Sequence, residues 1–155
     1  MKIKIVEIGK THQKDWQAFI DEYLGRAKRY RSVEVITLTP KTKKTDLIEV
    51  RELEGKMLLD MFGHQSQNVI LLDEKGKEYS SEGFAELIAK QTLSGKKELI
   101  FVIGGAYGFS AEVRACFKNS MALSQMTYTH QMVRLIFIEQ LYRAFTILAN
   151  EKYHH

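Results

Sequence analysis

Short apolar runs that end in glycine or polar residues alternate along the chain with segments of helical periodicity. The clearest run is Leu99 to Ile103, which stops on Gly104 and Gly105. A run of this length and composition is typical of a strand buried on both faces, and such strands form parallel sheets covered by helices. The alternation therefore predicts an α/β fold with a mostly parallel sheet flanked by helices.

Five strands and five helices follow from these patterns. The strands are expected at Lys2 to Ile8, Val33 to Thr39, Val69 to Asp73, Leu99 to Ile103 and Met121 to Met126. The helices are expected over residues 13–30, 45–62, 80–92, 110–118 and 131–149, with Thr45, Ser80 or Ser81, and Ser110 at three amino ends. The second helix rests on the spacing of Leu47, Val50, Leu53, Met57 and Met61, and a turn is expected at Glu74 to Lys77. Because no linker interrupts the pattern, residues 1–155 are interpreted as one domain.

The composition is that of an ordinary globular protein. Of the 155 residues, 45% are hydrophobic and 27% are charged. No apolar run approaches the roughly 18 residues of a membrane span. The first ten residues alternate like a strand and lack the continuous apolar segment of a signal peptide. We therefore expect a cytoplasmic protein.

The sequence contains none of the common hydrolytic, nucleotide-binding or metal-binding motifs. The glycines of Gly104-Gly105-x-x-Gly108 do not fit the dinucleotide-binding pattern, and there is no P-loop, nucleophile elbow or helical histidine pair. Cys116 is the single cysteine, which excludes an internal disulfide and a cysteine-based zinc site. Its apolar neighbours favour a small buried side chain over a nucleophile. No metal site is expected.

Two loops are the strongest candidates for a binding site. One follows Ile103 and carries the three glycines, and the other, Thr127 to His130, follows the run that ends at Met126. Ligands of open α/β sheets bind beyond the carboxyl ends of the strands. Adjacent glycines let a cofactor or another chain segment approach the backbone closely. Together with the loop after Leu72, these loops predict a nucleotide-shaped slot with few polar side chains.

The positive charge permits nucleic-acid binding without requiring it. The formal net charge is +4 and the isoelectric point about 9.1. The charge is clustered at Arg26, Lys28, Arg29 and Arg31, followed by Lys41, Lys43 and Lys44. The first cluster ends a predicted helix, where cations are favourable, so a solvated helix end and a phosphate-binding surface both explain it.

The last predicted helix carries more apolar surface than packing on one sheet face requires. Its polar residues Glu139, Arg143, Thr146 and Asn150 share an arc of about 60°. The helix is either buried among elements of its own chain or covered by a partner subunit, and its terminal position favours the partner. Arg134 points into the apolar surface and therefore requires an anion, either a carboxylate or a phosphate.

Five motifs in register resemble the RlmH family, small bacterial methyltransferases of the SPOUT class. They are LLD-x-x-G at Leu71 to Gly76, IGGAYG at Ile103 to Gly108, LSQMTYTHQMVR at Leu123 to Arg134, EQLYRA at Glu139 to Ala144, and the closing Tyr153-His154-His155. The resemblance implies a homodimer that uses S-adenosylmethionine to methylate N3 of a pseudouridine in 23S ribosomal RNA. It also implies a SPOUT-type fold with a C-terminal trefoil knot.

The resemblance further implies a role for individual residues. The cofactor is expected against Leu72, Gly104, Gly105, Gly108, Leu123, Ser124, Gln125, Met126, Thr127 and Tyr128. An activated methyl donor leaves the enzyme to orient the base and to help N3 lose its proton. The candidates for these tasks are His130, Arg134, Tyr153 and His154, with Tyr153 positioning the base and His154 or His155 assisting proton removal or holding a phosphate. Arg143, His155 and the cluster Arg26, Lys28, Arg29 and Arg31 are expected to bind RNA.

Two other functions remain open at this point. One is a non-catalytic module that binds RNA or the ribosome with the same fold, and the other is a SPOUT methyltransferase that acts on transfer RNA. The intact glycine loop, the run from Leu123 to Tyr128 and the tail argue against the first. Only the carboxyl-terminal tail argues against the second.

Overall fold

The computed structural model describes residues 1–41 and 46–154, and these residues confirm the predicted α/β class. The strands are β1 (Lys2–Ile8), β2 (Val33–Leu38), β3 (Val69–Glu78), β4 (Glu98–Ile103) and β5 (Asn119–Ala122). The helices are α1 (Lys14–Ala27), α2 (Leu47–Phe62), α3 (Ser81–Leu93), α4 (Ala111–Cys116) and α5 (His130–Leu148), with a short 3₁₀ helix at Gly63–Asn68. No helix in the described ranges is long and apolar enough to cross a membrane.

The strands form one parallel sheet in the order β2-β1-β4-β3-β5. The central strand β4 is fully buried from Leu99 to Val102, because helices cover both faces of the sheet. On one face, α1, α3 and α5 pack around Phe101 and Phe137. On the other face, α2 and α4 pack around Leu58 and Phe117. Cys116 is half-buried against this second cluster rather than fully buried.

Polar side chains begin four of the helices. The caps of α2, α3, α4 and α5 are Asp46, Ser80, Ser110 and Thr129, and each accepts a hydrogen bond from a backbone N–H of the first turn. The predictions for Ser80 and Ser110 are confirmed. The prediction of Thr45 as the cap of α2 is wrong, because Asp46 takes that position. Thr45 itself lies outside the described residues.

Helix α2 buries a different face from the one that its apolar spacing predicts. Leu47 and Met61 are 53% and 43% exposed, whereas Glu54, Gly55, Leu58 and Phe62 are buried. The reason is the packing at Gly55, where a Cβ would lie 2.7 Å from Ser110 Oγ and 3.1 Å from a methyl group of Val113. A close approach of α2 to α4 at this glycine turns the Glu54 side chain inward.

Two strand boundaries also differ from the predicted ones. β5 ends at Ala122, because the apolar run from Leu123 to Met126 leaves the sheet and Met126 is 72% exposed. β3 continues to Glu78, through the segment predicted as a turn. Its pairing with β5 is interrupted in that segment. Two β3 residues pair with the same Met121 of β5, and the four residues 73–76 lie between them in the chain.

This interruption depends on a glycine. Leu72 and Lys77 both pair with Met121, so β3 turns away from β5 after Leu72 and returns at Lys77 to the same residue of β5. Gly76 packs on the strand there: a Cβ at this position would lie 2.6 Å from both N and C of Met121. Backbone atoms cannot move aside as a flexible side chain can, so glycine is required by this close approach.

Helix α5 lies between α1 and α3 of its own chain. Phe137, Leu141 and Phe145 are at most 2% exposed within this arrangement. Intrachain burial, the alternative considered from the sequence, therefore accounts for most of the apolar surface that was expected to meet a partner. Met132 and Leu148 are the large apolar side chains of α5 that remain exposed, among those described.

Replacement of Gly76 by alanine should destabilise the fold by about 1–3 kcal/mol, because the new Cβ would overlap the backbone of Met121. Urea unfolding monitored by circular dichroism measures this loss. The matched control is Gly25→Ala within α1, where the added Cβ meets nothing within 4 Å beyond its chain neighbours and the backbone of its own helix, and the change should be neutral or slightly stabilising. Equal stabilities of the two variants would contradict the packing described for Gly76.

Candidate functional site

A cleft of about 740 Å³ opens at the carboxyl edge of β3, β4 and β5. Three chain segments line it, residues 72–75, 103–109 and 123–130, except for Gln125. Arg51 of α2, Arg114 of α4 and Val133 of α5 complete its wall. The cleft therefore forms where the sequence predicts a ligand site, beyond the ends of parallel strands. In residues 1–41 and 46–154 no group of three or more metal-ligating side chains is placed to hold an ion.

The structure brings together nearly all of the residues that were assigned to a cofactor. Those that line the cleft are Leu72, Gly104, Gly105, Gly108, Leu123, Ser124, Met126, Thr127 and Tyr128. Gln125 points elsewhere, and its Nε2 donates a hydrogen bond of 3.3 Å to Glu78 Oε2. His130, one of the catalytic candidates, also lines the cleft.

The glycine loop presents backbone to the cleft. Gly108 has a φ of +68°, a left-handed conformation that favours glycine, and its N–H donates to Gly105 O at 3.2 Å to close a turn. At Gly104, a Cβ would press against the Phe109 ring at 3.2 Å. These positions leave backbone groups accessible to a ligand, as the sequence suggests.

The polar rim of the cleft is held by contacts between its segments. Thr127 Oγ1 donates to Glu74 Oε2 at 2.8 Å, which joins the two loops beside β3 and β5. Arg114 Nε donates to Asp73 Oδ2 at 2.7 Å, and the other carboxylate oxygen of Asp73 accepts from Lys75 N–H. Of these residues, only Thr127 was assigned to the site from the sequence. Asp73 was detectable as the one carboxylate that ends an apolar strand.

The floor of the glycine loop is formed by α2. Glu54 is 7% exposed, and a Cβ on Gly105 would lie 2.6 Å and 2.8 Å from its two carboxylate oxygens. Glu54 Oε2 and Arg51 Nε are buried and have no hydrogen-bond partner in the described part of the chain. Burial raises the pKa of Glu54 above its ordinary value. No local sequence signal identifies these two residues.

His130 stands at the cleft as an uncharged base. The pKa of His130 is lowered by burial first, and then by electrostatic repulsion, chiefly from Arg134. A lowered pKa keeps the imidazole neutral at pH 7, so it is able to accept a proton.

Arg134 is buried behind the cleft and does not line it. It is 2% exposed, and its guanidinium donates to Ile8 O at 2.6 Å and to Thr11 Oγ1 at 3.0 Å. Its Nε lies 3.5 Å from Glu7 Oε2, an ion pair without hydrogen-bond geometry. Burial raises the pKa of Glu7, an effect that Arg134 opposes. The anion that this arginine requires is therefore a carboxylate of its own chain.

The tail candidates form a separate polar cluster on α5 and α3. Tyr153 OH donates to Glu139 Oε1 at 3.2 Å, and the Arg143 guanidinium lies 4.7 Å from the Tyr153 ring centre. His154 lies between Arg143, at 3.5 Å, and Glu82, at 2.5 Å. Burial is the main cause of a raised pKa at Tyr153. His155 lies outside the described residues.

The tail cluster and the cleft lie at different places along α5. His130 begins this helix, and Arg143 follows it thirteen residues later, which corresponds to roughly 20 Å at the rise of an α-helix. Tyr153 and His154 contact the helix around Glu139 and Arg143. Within one chain, therefore, the structure does not bring these tail residues to His130.

The basic cluster lies beside the tail. Tyr30 OH donates to Glu151 Oε2 at 2.6 Å, which joins the end of α1 to the carboxyl terminus. Arg26 pairs with Glu22 and lies near the rings of Tyr23 and Tyr142. Lys28 and Arg29 are exposed, Arg31 is half-buried, and Lys43 and Lys44 lie outside the described residues.

Comparison with known proteins gives a match to a family model and to many full-length relatives. The model described as "Predicted SPOUT methyltransferase" matches residues 1–154. A protein of Christiangramia forsetii named Ribosomal RNA large subunit methyltransferase H is 51% identical over 100% of this chain and 99% of its own length. Proteins of the same name from Flavobacterium johnsoniae and Geotalea daltonii are 47% and 44% identical over 100% of this chain and at least 99% of theirs.

A solved structure supports the fold at low sequence identity. It is a methyltransferase from Legionella pneumophila in complex with its cofactor S-adenosylmethionine. The similarity has a TM-score of 0.51 and 11% identity, and covers 91% of this chain and 65% of the other. At this identity the likeness concerns the arrangement of helices and strands alone.

Replacement of Arg134 by methionine should cost about 3–5 kcal/mol of folding stability, because the Glu7 carboxylate would remain buried without its counter-charge. The matched control is Lys2→Met, which breaks an ion pair with Glu34 whose two side chains are 42% and 44% exposed and should cost much less. Urea unfolding of both variants at pH 7 measures the two losses. A loss at Arg134 no larger than that at Lys2 would show that the buried pair does not anchor α5.

Proposed function

The chain belongs to the SPOUT methyltransferase family, and on this premise we propose that it methylates the RNA of the large ribosomal subunit. The finer proposal is transfer of a methyl group from S-adenosylmethionine to N3 of a pseudouridine in 23S ribosomal RNA. The observation that carries it is the complete glycine-loop cleft in a chain whose relatives of 42–51% identity are named as ribosomal RNA methyltransferases over their full length.

The residues of the cleft fit this cofactor. A volume of about 740 Å³ lies within the range of small-molecule sites. Leu72, Leu123 and Met126 offer apolar contact, while the glycine loop offers backbone groups that are able to hydrogen-bond an adenine ring. Arg51 lines the cleft and Glu54 lies against Gly105 of the same loop, each with one buried polar atom that has no partner in the described chain. The donor set thus suits a ligand that is partly apolar and partly charged.

The mechanism requires little covalent chemistry from the protein. When bound, S-adenosylmethionine supplies a methyl group on a positively charged sulfur, which is already an activated leaving group. The loops 104–108 and 123–128 hold the reactants in line, and the neutral imidazole of His130 accepts the N3 proton of the base. A side-chain nucleophile is not needed for this transfer.

The proposed enzyme is a homodimer in which the tail of one copy serves the cleft of the other. Tyr153 and His154 contact α5 at Glu139 and Arg143, roughly 9 and 15 Å along the helix from Val133 of the cleft wall, so in this proposal they reach a cleft across a subunit interface. There Tyr153 would stack on or orient the target base. Lys28 and Arg29, close to the tail through the contact of Tyr30 with Glu151, would bind RNA phosphates together with Arg26, Arg31, Arg143 and His155.

We also propose that residues 1–155 form a single domain threaded as a trefoil knot. Two features support this threading: the close backbone passage of Gly76 over Met121, and the return of α5 from the β5 edge of the sheet to α1. A substrate on the ribosome would place the enzyme in the cytoplasm.

The direct test is methyl transfer from labelled S-adenosylmethionine to ribosomal particles from a strain that lacks the activity. We expect label in 23S ribosomal RNA of 70S ribosomes or 50S subunits, with mass spectrometry identifying an N3-methylated pseudouridine. Label on transfer RNA would show that transfer RNA is the substrate, and the proposed methyl transfer from S-adenosylmethionine would stand. Absence of transfer, together with absence of cofactor binding by calorimetry, would favour the non-catalytic RNA-binding module.

The dimer arrangement predicts that two inactive variants restore each other. One variant carries Tyr153→Ala and His154→Ala, and the other carries Gly105→Val, which would collide with Glu54 of α2 and displace the glycine loop. After subunit mixing, half of the dimers pair an intact cleft with an intact tail, so activity should recover to about a quarter of the wild-type value. Recovery requires that the tail acts across the interface. A mixture as inactive as its components, after exchange is verified by mass spectrometry, would contradict this arrangement.

A further inference from the structure

Two charged side chains of α2 near the cleft each carry a buried atom without a hydrogen-bond partner among the described residues. Glu54 Oε2 and Arg51 Nε are each enclosed by protein, and neither forms a hydrogen bond within residues 1–41 and 46–154. The two residues are three positions apart on the helix, so their side chains are neighbours. They nevertheless form no ion pair with each other in the described chain. The helix therefore holds two oppositely charged side chains about one turn apart, and each has a buried atom without a hydrogen-bond partner.

These groups are exceptional among the charges around the cleft. Asp73 is paired with Arg114, and Glu74 accepts a hydrogen bond from Thr127. An unpaired polar group removed from water is costly unless a partner arrives. The position of the two groups indicates that this partner enters through the cleft, because Arg51 lines it and Glu54 contacts the glycine loop.

Gly105 is matched to the Glu54 carboxyl group. A Cβ on residue 105 would lie 2.6 Å and 2.8 Å from the two carboxylate oxygens, so any other residue would displace them. Because Gly105 itself lines the cleft, the carboxyl group lies at the edge of the cleft, against a residue without a side chain. The absence of a side chain at residue 105 thus allows the Glu54 carboxyl group to pack directly against the glycine loop.

The chemistry of a fitting ligand follows from the two charges. Arg51 offers N–H donors to a carboxylate, and Glu54 offers an acceptor to an ammonium group. An α-amino acid carries both of these groups on one carbon atom. We infer that Arg51 and Glu54 form the subsite for the amino-acid end of the cofactor, an inference that rests on the proposed function.

Ligands with and without that end separate this role from a structural one. S-adenosylhomocysteine carries the α-carboxylate and α-ammonium groups, whereas 5′-methylthioadenosine has the same adenosine and sulfur but lacks them. Titration calorimetry of the full-length wild-type protein should give an affinity at least about tenfold higher for S-adenosylhomocysteine, the equivalent of one hydrogen bond to a charged group.

The variants Glu54→Gln and Arg51→Gln should each lose about tenfold or more of the affinity for S-adenosylhomocysteine while keeping that for 5′-methylthioadenosine. Retained binding of the second ligand shows that the variant is folded and that its adenosine site is intact. The controls are Glu52→Gln and Lys56→Gln, exposed positions on the same helix, which should bind both ligands as the wild type does. If one of the α2 variants fails to fold, the other carries the test.

An equal loss of affinity for both ligands would overturn the inference, since it indicates a general role of α2 in shaping the loop. Unchanged affinity for S-adenosylhomocysteine in both variants would overturn it as well. Failure of the proposed function looks different: the wild type would bind neither S-adenosylmethionine nor S-adenosylhomocysteine, and the inference would fall with it.

Discussion

The parallel register of β3 with its two neighbours determines where the cleft forms. Leu72 pairs with Ile103, the last residue of β4, and with Met121 of β5, so the interruption of β3 after Leu72 lies level with the carboxyl ends of its two neighbours. The segments that follow these three positions leave the sheet side by side, and a concave site results. Gly76 maintains this register, because it allows the chain to pass within contact distance of the Met121 backbone and pair again beyond it.

Local patterns in the sequence were sufficient for the elements and for most of the cleft. Apolar runs, serine caps and the glycines at 104, 105 and 108 act over a few residues, and each was recognisable without tertiary information. The apolar run from Met121 to Met126 led to a wrong end for β5, because hydrophobicity predicts burial and not whether a segment pairs in a sheet. Leu123 and Met126 line a cleft, where an apolar side chain serves a ligand instead of the core.

The contribution of α2 was out of reach for a different reason. Glu54 reaches the glycine loop and Arg51 reaches the cleft because α2 packs on α4 through Gly55, a contact between segments more than fifty residues apart. The apolar spacing favoured a face containing Leu47 and Met61, yet both are exposed, and a glutamate is buried in their place. Burial of a carboxyl group contradicts the ordinary preferences of a helix in a core. Such contradictions are expected at binding sites, where stability is not the only demand on the sequence.

The rigidity of α5 sets the final constraint on function. Its first turns are fixed beneath β1 by the contact of Arg134 with Ile8, and its last turns are fixed by the tail contacts of Tyr153 and His154. A continuous helix of 19 residues cannot bend to bring its two ends together. A cleft near one end and a polar tail cluster near the other therefore stay apart within one chain, and the proposed dimer is the arrangement in which both would contact one nucleotide. A folded RNA is large enough to contact two copies at once, so the separation along α5 is compatible with the substrate proposed above.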